Sequence, residues 1–414
     1  MSSSFAVSRL PRNLIIGAGQ RASLAGYVAP LGKRALVVTD ERLAGDAQFL
    51  AMIDSLVQAG IVTQVYSGTV AELPASSILD GLEVAKRFGA DVIVGIGGGS
   101  CLDAAKVIAL LLTHGGTPSD YYGEFKVPGP ILPLIAVPTT AGTGSEVTPV
   151  AVISDPDRAV KVGIASPHLI PHTAICDPEL TYSCPPALTA VSGADALTHA
   201  IEAFTTLRRQ VDAKTVHEHV FVGKNALSDH FALQAIRLIS GSLKAAYDNG
   251  ADRQARDNLM LGATVAGMAF GTAGTAAAHA VQYPVGALTH TPHGAGVAVM
   301  MPYVMEFNRS AAEAEMAEIA DAMGVGGELD QGGKAAVAID AVSDLFASVG
   351  IPKTLRDLGM TQDKLAWTAE AALGATRLVK NNPRPLDPAS MSLLVNAAFA
   401  GDRAALRGTA KDQQ

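Results

Sequence analysis

Between Asp91 and Leu112 an apolar, β-branched run, Asp91-Val92-Ile93-Val94-Gly95-Ile96, passes directly into Gly97-Gly98-Gly99-Ser100 and then into a helical pattern from Cys101 to Leu112. A strand that ends in glycines and reopens as a helix calls for a parallel sheet with crossover helices. The alternation continues on both sides of it. Residues 34–39 read as a buried strand ending at Asp40, 48–58 as helix, 61–66 as strand, 78–88 as helix and 131–138 as strand. The expected fold of this half is therefore α/β, a Rossmann-like parallel sheet.

The loop Gly97, Gly98, Gly99, Ser100 can cradle a phosphate, because bare backbone amides approach the anion at the positive end of a helix. It is not the usual dinucleotide fingerprint. Gly95-x-Gly97-x-x-Ser100 lacks the last glycine, and the acid expected about twenty residues downstream lies upstream instead, at Asp40. A tight structural turn is the competing reading, and Asp103 in the first helical turn can simply favour the dipole. A second strand-end loop, Thr139-Thr140-Ala141-Gly142-Thr143-Gly144-Ser145-Glu146, offers hydroxyls to a pyrophosphate or ribose without adding positive charge. Two such loops in one α/β half point to a nucleotide.

Lys161 lies in Arg158–Gly163, a short alternating pattern that suits a hairpin. The pattern breaks at Asp177-Pro178-Glu179-Leu180-Thr181 and Pro185-Pro186, and helical periodicity then dominates. Helices are expected at 187–206, 228–249, 251–278, 294–308, 311–323, 333–349, 361–373 and 388–400. The organisation that follows is a domain of residues 1–184, α/β and nucleotide-binding, and an all-helical domain of 185–414.

The first of these helices carries Asp195 and His199, four residues apart and on one face. An isolated pair of this kind is an ordinary salt bridge. Here Ala194, Ala196, Leu197, Ala200, Ile201 and Phe204 would bury the helix, and a buried acid and imidazole need a partner. His279 is read as ending an Ala/Gly-rich helix, with Pro284, Gly286 and Pro292 breaking the chain before His293. One carboxylate and three imidazoles suit a divalent ion, Fe(II) or Zn(II), with room for a substrate oxygen. The polar segment 208–219 directly after the first helix reads as a solvated loop.

Of the 414 residues 49% are hydrophobic and 17% charged, so a large core can form; the net charge of -8 and the lack of a basic run argue against nucleic acid. The three cysteines, Cys101, Cys176 and Cys184, form no CxxC pair and fit a reducing compartment. The Ser-rich first ten residues lack an apolar core of signal-peptide length, and the longest apolar run, 107–112, is too short to cross a bilayer. A cytoplasmic protein without membrane association is the expectation.

The motifs Gly97-Gly98-Gly99-Ser100 with Asp103 and Lys106, Pro138–Glu146, Asp195–Glu202 and Pro292-His293-Gly294 together resemble the iron-containing (group III) alcohol dehydrogenases, over roughly residues 10–400. The resemblance implies the dehydroquinate synthase-like arrangement, with an active site in the cleft between the two domains and commonly a homodimer. It places the metal on Asp195, His199, His279 and His293. It places the cofactor against Gly97, Gly98, Gly99, Ser100, Asp103, Thr139, Thr140, Thr143, Ser145, Lys161 and Leu180. Asp40 falls where an acid favours NAD over NADP, by accepting from ribose hydroxyls and repelling a 2'-phosphate. Many members carry a further His four residues after the third ligand; here Tyr283 stands there, and Tyr283 or His290 can relay the proton, a packed wall residue being the equal alternative for either.

The implied activity is reversible hydride transfer between a small alcohol, such as a diol or hydroxy acid, or its aldehyde, and the nicotinamide. Hydroxyacid-oxoacid transhydrogenase chemistry is an alternative. A lyase or cyclase of the dehydroquinate synthase type is another, but it needs basic side chains around a polyanion, and residues 263–278 supply none. A metal-binding protein without catalysis would have no nucleotide affinity.

Overall fold

The structure, a computed structural model, describes residues 5–155 and 160–407. The chain folds as two compact units. One comprises Ser8–Cys184 with Ala213–Val220; the other comprises Pro185–Asp212 with the chain from Phe221 onward, and takes in the N-terminal residues up to Val7. The segment 213–220 is thus packed with the first unit.

The first unit is built on six parallel strands: β1 (Asn13–Ile16), β2 (Arg34–Val38), β3 (Val62–Tyr66), β4 (Val92–Gly97), β6 (Leu134–Pro138) and β9 (Thr173–Cys176), in the order β1-β9-β6-β4-β2-β3. Three further strands, β5 (Gly123–Glu124), β7 (Val150–Asp155) and β8 (Val160–Ala165), form a small separate sheet. The antiparallel β7–β8 pair is the expected hairpin, although Arg158 and Ala159 lie outside the described residues.

The strands β4 and β6, and β2 from Ala35 onward, are apolar and buried because both faces are covered. Leu36, Val38 and Ile93 pack with Ala105 and Ile108 of the helix Gly99–His114 on one side. Ala35, Val37, Val94 and Val137 pack with Phe49, Met52 and Leu56 of the helix Ala47–Gln58 on the other. The chain goes from β2 out to the edge strand β3 and returns to β4 on the opposite side of β2. That reversal opens a crevice at the carboxyl ends of β2 and β4, the place where open α/β sheets bind ligands. Thr39 and Asp40 leave one side of it and Gly98–Ser100 the other.

The second unit is helical, and three of its helices build the site: Pro186–Thr205, Ala277–Thr289 and His293–Asn308. The expected helix 228–249 is two, Ala226–Ser240 and Leu243–Asp248, parted at Gly241. The expected helix 251–278 is Arg253–Ala273; Gly274 stops it with φ 82°, and the axis turns by 103° before Ala277 begins the next.

His279 therefore opens a helix instead of ending one, and Pro284 and Gly286 lie inside that helix. A proline there removes one backbone bond and costs about 3 kcal/mol. The helix survives because Ala277, Ala278, Ala280, Val281, Pro284 and Val285 are all buried, and tertiary packing outweighs local propensity. Among the described residues no single helix is long and apolar enough to cross a membrane.

Candidate metal centre and nucleotide crevice

Pro186 starts its helix with the fixed φ that suits a first turn, and every residue from Gly193 to Thr205 is buried. Asp195, His199 and Glu202 then follow at i, i+4 and i+7 on one face. His279 stands in the first turn of Ala277–Thr289, and His293 is the first residue of His293–Asn308. The last approach needs a residue without a side chain: a Cβ on Gly294 would meet Val191 O at 2.1 Å and Asp195 Cβ at 3.1 Å.

The side chains converge on one oxygen. Oδ1 of Asp195 lies 3.8 Å from Nε2 of His199, 3.8 Å from Nε2 of His279 and 3.9 Å from Nε2 of His293. A tetrahedral ion with bonds of about 2.1 Å has edges of roughly 3.4 Å, so contraction by a few tenths of an ångström would close the set. Asp195, His199 and His279 have ligand atoms all within 4.8 Å of one another. His293 joins through Asp195 and is the most exposed, its side chain at 27% against 4% for His279.

Three features make the arrangement fit a cation. Nε2 of His279 is buried and has no hydrogen-bond partner among the described residues, which leaves a lone pair aimed at the shared point. The His199 and His279 rings stack with centroids 4.6 Å apart, and Phe270 stacks on the other face of His199 at 4.3 Å. Glu202, 1% exposed, accepts from Nδ1 of His279 at 2.6 Å. Sequence reasoning did not single out Glu202, although a second acid one turn after His199 was the available signal; Phe270 carried none.

Tyr283, half-buried one turn after His279, has its ring centroid 6.5 Å from that of His293. His290 is exposed and closes the same helix in the left-handed region, φ 53°.

In the first unit, Gly97 pairs with Pro138, which sets the two loops side by side. A Cβ on Gly99 would meet Cγ2 of Thr143 at 2.6 Å and one on Gly98 would lie 3.6 Å from Oγ1 of Thr140, so the Thr loop closes directly over the glycines. Ser100 is half-buried at the start of the helix, and Thr139 N donates to Gly97 O at 3.0 Å.

Several expected cofactor contacts also have structural work. Asp40 caps the short helix Glu41–Ala44 by accepting from Leu43 N at 2.8 Å. Asp103 accepts from Ser145 Oγ at 2.6 Å and Val152 N at 2.9 Å, and burial raises its carboxyl above the usual range. Lys161 pairs with Glu72 at 2.6 Å, and Leu180 is a core residue packed with Val94, Val137 and Ile175.

Lys106, absent from the expected site, is fully buried and donates to Thr148 O at 3.0 Å and Val150 O at 2.7 Å; burial lowers its ammonium to about 8. Burial, followed by the neighbouring Asp40, pushes the Cys101 thiol up to about 12.

Residues 11–178 match the family described as iron-containing alcohol dehydrogenase, and residues 189–399 its C-terminal part, Fe-containing alcohol dehydrogenase family, C-terminal. Long-chain-alcohol dehydrogenase 1 of Geobacillus thermodenitrificans is 37% identical over 93% of this chain and 95% of that protein. The 1,3-propanediol dehydrogenase of Citrobacter freundii is 36% identical over 94% and 95%. Among solved structures, a 1,3-propanediol oxidoreductase superposes with a TM-score of 0.89 at 34% identity, covering 95% of this chain and all (100%) of that one. The sulfoacetaldehyde reductase of Bifidobacterium kashiwanohense in complex with NAD+ gives 0.81 at 26% identity, over 96% and 99%. With both halves of the chain matched, it belongs to the iron-containing alcohol dehydrogenase family and is a metal-dependent alcohol dehydrogenase.

Proposed function

We propose that the chain interconverts a terminal alcohol and its aldehyde, with NAD in preference to NADP and with Fe(II), or Zn(II) in its place, held by Asp195, His199, His279 and His293. The observation that carries this reading is the convergence of three Nε2 atoms within 3.9 Å of one carboxylate oxygen. A set of one carboxylate and three imidazoles suits a borderline divalent ion and leaves a position for an oxygen ligand. When bound, the ion supplies Lewis acidity at the substrate hydroxyl, and NAD supplies the hydride acceptor.

The chain's own residues do the rest. Asp195 contributes the negative charge that offsets the cation. Phe270 covers one face of His199 and keeps water from it. Tyr283, beside the most exposed of the four ligands, stands where a phenol can take the proton on toward solvent. Asp40, at the carboxyl end of β2, places a negative charge where a 2'-phosphate would stand. The terminal alcohol as substrate class is supported by the relatives, whose names include a long-chain alcohol, 1,3-propanediol and sulfoacetaldehyde.

The test is NADH formation at 340 nm by protein loaded anaerobically with Fe(II) or Zn(II), across terminal alcohols, diols, secondary alcohols and hydroxy acids. Turnover of terminal alcohols, lost in H199A, is expected. Undiminished activity in H199A overturns the ligand assignment.

A further inference from the structure

Glu202 is 1% exposed, and among the described residues neither lysine nor arginine pairs with it. A buried carboxylate without a cation is unfavourable unless hydrogen bonds and a nearby positive charge hold it. Its hydrogen bonds are three and all come from one short stretch: Ala276 N donates to Oε2 at 2.9 Å, Ala278 N to Oε1 at 2.7 Å and His279 Nδ1 to Oε2 at 2.6 Å. The two amides belong to the open first turn of Ala277–Thr289, which the helix itself cannot satisfy and whose N-cap, Ala276, has no side-chain acceptor. Glu202 thus substitutes for a cap from another helix and fixes the imidazole in the same contact.

An imidazole that donates through Nδ1 to a carboxylate is held in the tautomer whose Nε2 carries the lone pair. Nε2 is the atom that lies 3.8 Å from Asp195 Oδ1 and has no hydrogen-bond partner among the described residues. We propose that Glu202 is the positioning residue of the metal centre: it sets the tautomer and orientation of His279, and it is the second negative charge that balances a divalent ion. The two carboxylates, Asp195 directly and Glu202 through the His279 ring, sum to the charge of the ion. One helix therefore supplies two ligands and the support of a third, at i, i+4 and i+7. This rests on the metal-ligand reading above.

The test is metal affinity, measured with Co(II) alone by competition against a chromophoric chelator, and the Co(II) d–d spectrum. Glu202→Gln keeps the shape but presents one oxygen and one NH2, so it cannot accept from all three donors. E202Q is expected to weaken Co(II) binding about 10–100-fold and to shift the d–d bands. In a His279→Ala background, E202Q should cost less affinity than it does in the native protein, because only its charge and no longer its hold on the imidazole is lost.

Native affinity and spectrum in E202Q, or the same loss with His279 absent, overturn the proposal. The native protein gives a second measurement that needs no variant. With 15N-histidine labelling and Zn(II) bound, the His279 Nδ1 proton should resonate far downfield and exchange slowly with water, as a proton bonded to a buried carboxylate does; a fast-exchanging Nδ1 proton at an ordinary shift overturns the proposal. Unchanged Co(II) affinity in D195A would instead overturn the ligand set itself, so the two failures are separable.

Discussion

Oδ1 of Asp195 and Nε2 of His279 stand 3.8 Å apart with both side chains buried, brought together from separate helices. Under the proposed ligand set, removing the carboxylate takes away both a ligand and the charge that offsets the cation. Asp195→Ala should lose metal by more than the ~100-fold typical of an outer-partner loss, and activity with it. NADH affinity should change little, because the crevice residues lie on other elements. Metal content by atomic emission and NADH fluorescence titration check both halves; retained metal in D195A would refute the assignment.

Gly294→Ala tests the approach of the His293 helix. In an ordinary helix alanine is better than glycine by about 1 kcal/mol. Here the added Cβ would meet Val191 O at 2.1 Å, and a backbone oxygen cannot swing aside. The substitution is therefore expected to destabilise by about 1–3 kcal/mol and to weaken metal binding, since Asp195 and His293 flank the contact. A raised urea midpoint in G294A would show that the contact is absent.

The parallel sheet was readable because β4 and β6, and β2 from Ala35 onward, are apolar and end in Gly or Thr loops, a signal that local pattern carries. The four-residue strands β1 and β9 passed unnoticed; at that length neither alternation nor an apolar run stands out. The helix through Pro284 was hidden for the opposite reason. Its local sequence argues for a break, and only the burial of Ala280, Val281 and Val285 overrides it. Glu202 escaped because an acid on a helix face has no visible partner until Ala276 and His279 arrive.

The proposed role of Asp40 in cofactor choice is tested by a substitution that keeps its helix cap. Its carboxylate caps Glu41–Ala44, and losing a cap costs about 1 kcal/mol. Asp40→Ser keeps an acceptor for Leu43 N while removing the charge. The ratio of kcat/KM for NAD over NADP is expected to fall by about 10-fold or more, the equivalent of ~1.4 kcal/mol, through both a higher KM for NAD and a lower one for NADP. An unchanged ratio removes Asp40 from the ribose.

Lys106 gives the fold a pH dependence of defined sign. Its ammonium, fully buried, is lowered from 10.5 to about 8, first by burial and against the opposing pull of Asp103 and Glu146. A lysine in this state binds its proton less tightly folded than unfolded, so it destabilises the fold wherever it is charged. That penalty is constant below the folded value, where both states are protonated. It declines as pH rises from about 8 to 10.5, where the folded amine is already neutral and the unfolded one still charged. Lys106→Met has no such titration, though it gives up the bonds to Thr148 O and Val150 O. Urea midpoints of the two proteins should therefore hold a constant gap up to pH 8, after which the native protein gains on K106M by up to about 1.4 kcal/mol per pH unit. A gap that stays flat from pH 8 to 10, or moves in favour of K106M, would mean that the amine is solvated and its pKa ordinary.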